Sequence, residues 1–295
     1  MKNASETESR KGRKSDLAQA ALISPMVLWT LIFVGLAFLY IIGLSFMTKD
    51  AENFGVKLEF TFDNYAKLFQ PMYWQVLKQS LLLAFYTTVI CLLLGYPFGY
   101  LMSKVSVKWR GLIMLLVIVP FWTNALVRIY GWRILLLADG PINSLLKTLG
   151  IIDKPLKLLG TYGAVLLGMV YALIPFMILP VYTNVEKMDW SVVEAARDLG
   201  ASPISAFITI TLPMTVSGVL AGCVLVFVPS IGLFFISDLL GGAQDLLAGN
   251  LIRDQLLKSR DWPFAAALSV MLLIITSALL WLYRKAGGKN DMSIM

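Results

Sequence analysis

The sequence predicts an all-α membrane protein whose chain crosses the bilayer six times. Of its 295 residues, 58% are hydrophobic and 15% are charged, whereas a soluble domain carries about 25% charged residues. The charges leave six uncharged runs of 17 to 39 residues, which together exceed half the chain. Since a bilayer core about 30 Å thick needs roughly 20 apolar helical residues to cross it, each run is a candidate span. The runs lie at 17–48, 79–103, 111–127, 158–185, 199–237 and 262–283.

The same composition excludes several classes of protein. A soluble globular enzyme and a secreted disulfide scaffold are both excluded by the apolar runs. With no histidine in the chain, no histidine-held metal or haem and no Ser-His-Asp triad can form. Cys91 and Cys223 both lie in apolar runs and are interpreted as small packing residues. There is no G-x-x-x-x-G-K-[ST] phosphate-binding loop, so we expect no catalytic residue, no metal and no cofactor in this chain.

The first span is predicted at 22–46. The basic segment 1–21 before it resembles the start of a secretory signal, but the apolar part of a signal is only about 7–15 residues long. Ser24 and Pro25 are typical of a helix start, with a cap followed by proline in the first turn. The membrane domain then covers 22–283, and a second tail covers 284–295. The predicted spans are 22–46, 79–103, 111–137, 161–185, 214–237 and 264–283.

Positive charge sets the expected orientation, because Lys and Arg are enriched in cytoplasmic loops. With the N-terminus inside, the inside segments hold 13 Lys and Arg in 69 residues, against 10 in 81 for the outside segments. Both termini are therefore expected in the cytoplasm. Two outside segments, 139–150 and 245–262, are predicted as amphipathic helices. They either form a platform for a partner or lie on the membrane surface.

The inside loop 186–213 is acidic and has helix signals of its own. Asp189, or Ser191 with Glu194 three residues later, is suited to cap a first helix. Gly200 stands where a helix commonly ends in a left-handed residue. Ser202 and Pro203 then favour the start of a second helix, which we expect Pro213 to stop. The loop is thus predicted as two short helices joined by a tight turn outside the bilayer.

Seven residues of this loop resemble the EAA motif of the membrane permease subunits of ABC importers. They are Glu194, Ala195, Ala196, Gly200, Ile210, Leu212 and Pro213. From about residue 22 onward the chain also resembles the first permease of spermidine/putrescine importers. The strings that carry this second resemblance are FTFDNY at 60–65, VPFWTN at 119–124, RIYG at 128–131, EAARDLGAS at 194–202 and RDWPF at 260–264.

The resemblance implies a type I ABC importer permease in the bacterial inner membrane, forming a non-catalytic half of the translocation pathway for polyamines. It implies that Glu194 makes polar contacts in a groove of an ATPase subunit, that Ala195 and Ala196 permit close approach, and that Gly200 sets the turn. The implied partners are a second, PotC-like permease, two PotA-like ATPase subunits that bind ATP and Mg, and a periplasmic PotD-like polyamine-binding protein. No nucleic acid is expected. An ordinary capped loop between two spans is the alternative.

Four residues are candidates for the substrate path. A carboxylate beside aromatic rings suits a polyamine through ion pairing and cation–π attraction, which points to Asp238 at the end of the fifth span. Trp122, Tyr130 and Tyr171 have rings that an amine chain can contact, although aromatics in spans more often pack or anchor at the interface. Arg128 and Arg133 are expected to reach the outer interface with their charged ends, with a role in gating as the alternative.

Prolines and glycines within the spans leave two interpretations each. Each proline leaves a backbone carbonyl without its helical hydrogen-bond donor. Such breaks in transporter helices often line a cavity; the alternative is a kink that helix packing accommodates. The prolines are Pro97, Pro120, Pro175, Pro180 and Pro229. The pairs Gly95/Gly99 and Gly218/Gly222 have the spacing of close helix contacts, either with a partner permease or within this bundle.

An ATPase-independent secondary carrier or channel for small cationic solutes is the competing function. Such a carrier is expected to show internal repeats or a buried relay of titratable groups, and neither is evident. A membrane enzyme would need a nucleophile with a base or paired carboxylates. The sequence does not distinguish putrescine from spermidine as the substrate.

Overall fold

The computed structural model describes residues 23–50, 55–242 and 246–287. The predicted tail at 1–21 lies outside these residues, as does most of the tail at 284–295. The described chain is largely helical, with one short antiparallel hairpin in which Thr48 pairs with Lys57. The elements are α1 Ile23–Ser45, β1 Thr48–Asp50, β2 Gly55–Lys57, α2 Asp63–Leu68, α3 Pro71–Lys104, α4 Val107–Trp122, α5 Ala125–Leu136, α6 Pro141–Thr148, α7 Tyr162–Lys187, α8 Trp190–Asp198, α9 Pro203–Met214, α10 Val216–Gly232, α11 Phe234–Leu240, α12 Ala248–Leu257 and α13 Trp262–Gly287.

The helices supply four apolar segments long enough to cross a membrane, or six if each of two bent pairs counts as one span. Four are single helices: α1, α3, α7 and α13, the last over Trp262–Leu282. The other two are bent pairs, in which α4 meets the α5–α6 segment at 93° and α9 meets α10 at 63°. The all-α membrane fold expected from the uncharged runs is confirmed, and the expected six spans are reached when each bent pair counts as one span.

The expected span at 111–137 is not one continuous helix. Helix α4 ends at Trp122, and both Thr123 and Asn124 have extended backbone angles. The Asn124 side chain accepts a hydrogen bond from Leu126 N at 2.8 Å, so it caps the next helix. A capping residue inside an uncharged run starts a new helix without changing the hydropathy pattern, which is why this break escapes a prediction based on charge and length.

Helix α9 ends at Met214, one residue after Pro213, where the sequence predicts the second helix of the loop to stop. The turn before it, Phe207–Thr211, is a π-helical turn. The bend between α9 and α10 follows at Thr215, whose N–H donates to Thr211 O at 3.1 Å.

Helix α7 is the centre of the bundle, with α3 on one side and α10 on another. Both predicted glycine pairs face it. A Cβ on Gly95 would lie 2.8 Å from Met177 Cγ, and one on Gly218 would lie 2.7 Å from Pro180 O. Both pairs therefore serve contacts within this chain. The buried side chains around them are Cys91, Tyr96, Leu173, Met177, Val181, Val185 and Val226.

Helix α1 contributes little to this core. It packs along α13, but none of its most apolar 18-residue stretch is buried inside the chain. Large apolar side chains such as Trp29, Phe33 and Leu39 are consequently exposed. In a membrane protein such a surface contacts lipid or another subunit.

The two predicted amphipathic segments form α6 and α12 at the end of the bundle opposite residues 186–213. Gly150, after α6, has a φ of 67°, as a helix-ending glycine requires. Helix α12 buries Leu251 against Phe264 and Leu268 of α13, while Leu256 and Leu257 remain exposed. The apolar face of α12 is thus used largely for packing on its own bundle.

Candidate functional site

The loop 186–213 forms a compact projection, called the elbow here, made of α8, a turn at Gly200 and α9. Asp189 is the cap of α8, since its carboxylate accepts a hydrogen bond from Ser191 N at 3.0 Å. The hydrogen bonds from the Ser191 side chain and backbone lower the pKa of the Asp189 carboxyl. Ser202 caps α9 in the same way, accepting from Ser205 N at 3.2 Å.

Gly200 holds the turn through its backbone conformation. Its φ is 92°, a region that side-chain-bearing residues rarely adopt. No atom within 4 Å would meet an added Cβ, so the constraint is conformational rather than steric. The turn is closed by Gly200 N donating to Arg197 O and Ala201 N donating to Ala196 O, both at 3.0 Å.

The outer surface of the elbow exposes apolar side chains beside the EAA-like residues. Leu199 is 90% exposed and Ile204 is 73% exposed, one on each side of Gly200. Glu194 and Ala195 are also exposed, while Ala196 is half-buried. Further along α9, Leu212 and Pro213 are exposed and Ile210 is half-buried. An exposed apolar patch with a polar rim is typical of a protein-binding surface.

Aromatic side chains fix the inner surface of the elbow to the spans. This aromatic anchor consists of Tyr96 and Tyr100 of α3, Trp190 of α8 and Phe207 of α9. The Tyr100 ring lies 6.1 Å from that of Trp190 and 5.7 Å from that of Phe207, edge to face in both cases. Edge-to-face aromatic pairs contribute about 0.5–1.5 kcal/mol beyond the area that they bury.

Polar contacts reinforce the aromatic anchor. The Lys104 ammonium lies 3.1 Å from the centroid of the Trp190 ring, and the hydroxyl groups of Tyr96 and Thr215 are hydrogen-bonded at 3.0 Å. Arg110 Nη1 lies 3.2 Å from Glu186 Oε1 at the end of α7. The first two contacts hold α8 and the end of α9 to α3, and the third joins α4 to the end of α7.

Asp238 has partners of its own at the opposite end of the bundle. Its carboxylate forms an ion pair with Arg253 and accepts a hydrogen bond from Asn250 Nδ2 at 2.6 Å. The Arg253 guanidinium also lies over the Phe234 ring, 5.5 Å from its centroid. The Asp238 carboxylate, which suggested an amine site, is thus already paired with Arg253, and the same guanidinium covers the Phe234 ring.

The three candidate rings are not in equivalent places. Trp122 is 80% exposed and Tyr130 is 50% exposed, and within the described ranges neither makes a ring–ring contact. Tyr171 is half-buried, with its ring edge to face with Trp132 at 5.5 Å.

The sequence did not reveal a group of residues around Arg128, called the Arg128 cluster here. The Arg128 guanidinium lies 4.8 Å from the Phe121 ring centroid and 5.8 Å from that of Tyr171. Phe121 in turn packs against Phe176 at 5.4 Å. Its rings come from α4 and α7, and its arginine comes from α5. The sequence showed Arg128 only as one of two arginines, five residues apart, that were expected at the outer interface.

The remaining chemistry-bearing groups form no second site in the part of the chain that the structure describes. Cys91 is buried and Cys223 is half-buried, both as free thiols. Among the described residues, no three Cys, Asp or Glu side chains come together as a metal site would require.

Comparison with known proteins gives a family and a set of relatives. Residues 95–285 match the family described as binding-protein-dependent transport system inner membrane component. The chain is 49% identical over 268 residues to the spermidine/putrescine transport system permease protein PotB of Salmonella typhimurium (strain SL1344). That alignment covers 91% of this chain and 93% of the relative.

Solved structures with the same fold are more distant in sequence. A bacterial ABC transporter involved in the import of the acidic polysaccharide alginate matches with a TM-score of 0.74 at 17% identity, covering 95% of this chain and 98% of that chain. A bacterial alginate ABC transporter in complex with an alginate pentasaccharide-bound periplasmic protein matches with a TM-score of 0.71 at 19% identity, covering 93% and 95%. At these identities the likeness establishes the fold.

Proposed function

The chain belongs to the family of binding-protein-dependent transport system inner membrane components, and on that premise we propose that it forms half of the pathway of an ATP-driven polyamine importer. The substrate class is supported by 49% identity to a spermidine/putrescine permease over most of both chains. As a permease of the inner membrane, the chain forms part of the pore and catalyses no reaction. ATP hydrolysis belongs to a separate subunit.

The observation that carries the proposal is the elbow. It exposes Leu199 and Ile204 on its outer surface, while the aromatic anchor fixes its inner surface to α3. A partner that binds the outer surface therefore moves the spans with it. We infer that Glu194, Ala195, Ala196 and Gly200 contact or shape the contact with an ATPase subunit. The remaining motif residues, which continue this surface toward α10, are Ile210, Leu212 and Pro213.

The orientation follows from the same assignment. The elbow lies in the cytoplasm with Lys104 and Arg110, whose positive charges belong on that side. Both termini lie there too, and α6 and α12 lie on the periplasmic side.

The proposed partners each have a surface on this chain. Two PotA-like ATPase subunits bind ATP and Mg. One contacts the elbow of this chain, and the other contacts the elbow of a PotC-like second permease. The exposed face of α1 is available to that permease or to lipid. A PotD-like periplasmic binding protein delivers spermidine or putrescine to the end that carries α6 and α12. Nucleic acid has no part in this scheme.

The decisive experiment reconstitutes the complete complex in proteoliposomes and measures uptake of labelled spermidine and putrescine. We expect uptake only with the binding protein, the ATPase subunits and ATP together, and competition between the two substrates identifies the preferred one. Vesicles with this chain alone are the control. Uptake into those control vesicles would contradict the proposal and favour the ATPase-independent carrier.

A further inference from the structure

Arg128 lies deep within the apolar part of the bundle. Its guanidinium faces Tyr171, which is the tenth residue of the 26-residue helix α7. At 1.5 Å of rise per residue, Tyr171 is about 14 Å from the start of that helix, close to the middle of a bilayer core about 30 Å thick. Measured along α7, the Arg128 guanidinium therefore lies well inside the apolar part of the bundle rather than at its outer end.

The positive charge of Arg128 is balanced in an unusual way. Among the described residues no carboxylate forms an ion pair with it, and its Nε atom is buried without a hydrogen-bond partner. By contrast, Arg110 pairs with Glu186 and Arg253 pairs with Asp238. An arginine at membrane depth is costly and usually functional. Here the rings of Phe121 and Tyr171 provide the attraction that a carboxylate provides elsewhere.

The rings that hold Arg128 would hold an ammonium group equally well. Cation–π attraction requires a cation within about 6 Å of a ring centroid, and it does not distinguish a guanidinium of the protein from an amine of a ligand. Arg253 is tied to Asp238 and Asp254 by ion pairs, whereas among the described residues Arg128 forms no ion pair, so the cation on these rings is the easier one for a positively charged solute to replace.

We propose that the ring faces of Phe121 and Tyr171 form a transit site for the ammonium groups of the substrate, and that Arg128 occupies this site until substrate displaces it. This proposal rests on the polyamine function proposed above. A cation already on the rings opposes entry of another by competition and by charge repulsion. Arg128 therefore acts as a gate that opens only for a solute able to replace it.

The bend between α4 and α5 gives Arg128 a way to leave the rings. Phe121 precedes the break at Thr123 and Asn124, while Arg128 follows it on the first turns of α5. A change in the 93° angle between these segments alters the distance between the guanidinium and the Phe121 ring. Movement of the bend and release of Arg128 are consequently one event.

The test measures binding of labelled spermidine to the assembled transporter in nanodiscs, without the binding protein. We expect Arg128→Met to bind spermidine on the order of tenfold more tightly than wild type, because a competing cation is removed from the rings. Tyr171→Leu in the Arg128→Met background should abolish that gain. The matched control is Arg133→Met, which removes an exposed arginine five residues further along. It should bind spermidine as wild type does.

A second readout covers the case in which Arg128→Met fails to assemble, as judged by co-purified ATPase. With saturating substrate-loaded binding protein, Tyr171→Leu should slow uptake several-fold and Tyr171→Phe, which keeps the ring, should not. Equal spermidine binding by Arg128→Met and wild type would overturn the inference, as would normal uptake by Tyr171→Leu. If the wild-type complex takes up polyamine, either of these two results contradicts only the role of the Arg128 cluster, and the polyamine function is unaffected. Absence of polyamine uptake by the wild-type complex defeats the function itself.

Discussion

Gly200 is the residue whose backbone conformation shapes the elbow. An added Cβ would meet no atom within 4 Å, so there is room for a larger side chain at this position. The φ of 92° nevertheless disfavours any residue with a side chain. The left-handed region costs about 1–2 kcal/mol for most residues. Because the cost falls on a turn outside the spans, it changes the shape of the docking surface while membrane insertion is unaffected.

Gly200→Val should therefore insert and assemble but lose substrate-stimulated ATP hydrolysis in the reconstituted complex. Gly200→Asn is the matched control, since asparagine tolerates the left-handed region better than other residues with side chains, and it should retain most of the stimulation. Normal stimulation in Gly200→Val would show that the turn is not needed for coupling.

The ion pair between Asp238 and Arg253 gives a second prediction at the level of residues. Both side chains are partly exposed, so the pair should contribute about 1 kcal/mol or less to stability. We expect Asp238→Asn and Arg253→Gln to lower the thermal stability of the complex by similar amounts, with the double variant losing less than the sum. Uptake per assembled complex should persist in all three.

If Asp238 instead contacts substrate in transit, the two variants will differ. Loss of uptake in Asp238→Asn with normal uptake in Arg253→Gln would support that role for Asp238 and contradict a purely structural pair.

Among the structural elements, the aromatic anchor joins the elbow to α3. We expect Phe207→Ala to reduce substrate-stimulated ATP hydrolysis toward the basal rate, because removing this ring leaves Tyr96 and Tyr100 without their edge-to-face partner on α9. Trp109→Ala, at an exposed aromatic residue on the neighbouring helix α4, is the control and should behave as wild type. Full stimulation in Phe207→Ala would exclude the anchor as the connection.

The elements that the sequence predicts well are those specified by neighbouring residues. The caps at Asp189 and Ser202 and the left-handed Gly200 were all recognisable because capping and turn preferences act over a few positions. The break at Thr123 and Asn124 was missed since an uncharged cap leaves no mark on hydropathy. The Arg128 cluster and the Asp238–Arg253 pair depend on how distant helices pack, which hydrophobic periodicity does not encode.

For the whole molecule, the proposed orientation places the elbow in the cytoplasm and α6 on the periplasmic side. We expect a membrane-impermeant thiol reagent, added outside right-side-out vesicles, to label Ser144→Cys on α6 but not Asp198→Cys at the elbow. Both positions are exposed on the protein, so a difference in labelling should arise only because the membrane shields one of them from the reagent. Wild type is the control for the native thiols, Cys91 and Cys223. Labelling of Asp198→Cys alone would reverse the proposed orientation.

The glycine contacts on α7 have a mechanical consequence. Gly218 lies against the Pro180 carbonyl and the Asn184 side chain, and Gly99 lies against the Ile178 carbonyl and the Val181 side chain, so that an added Cβ at either position would lie 2.6 to 3.2 Å from atoms of α7. Closely packed interiors transmit strain rather than absorb it. If the elbow couples to an ATPase subunit as proposed, these close contacts make α3, α7 and α10 the helices that transmit its movement along the bundle.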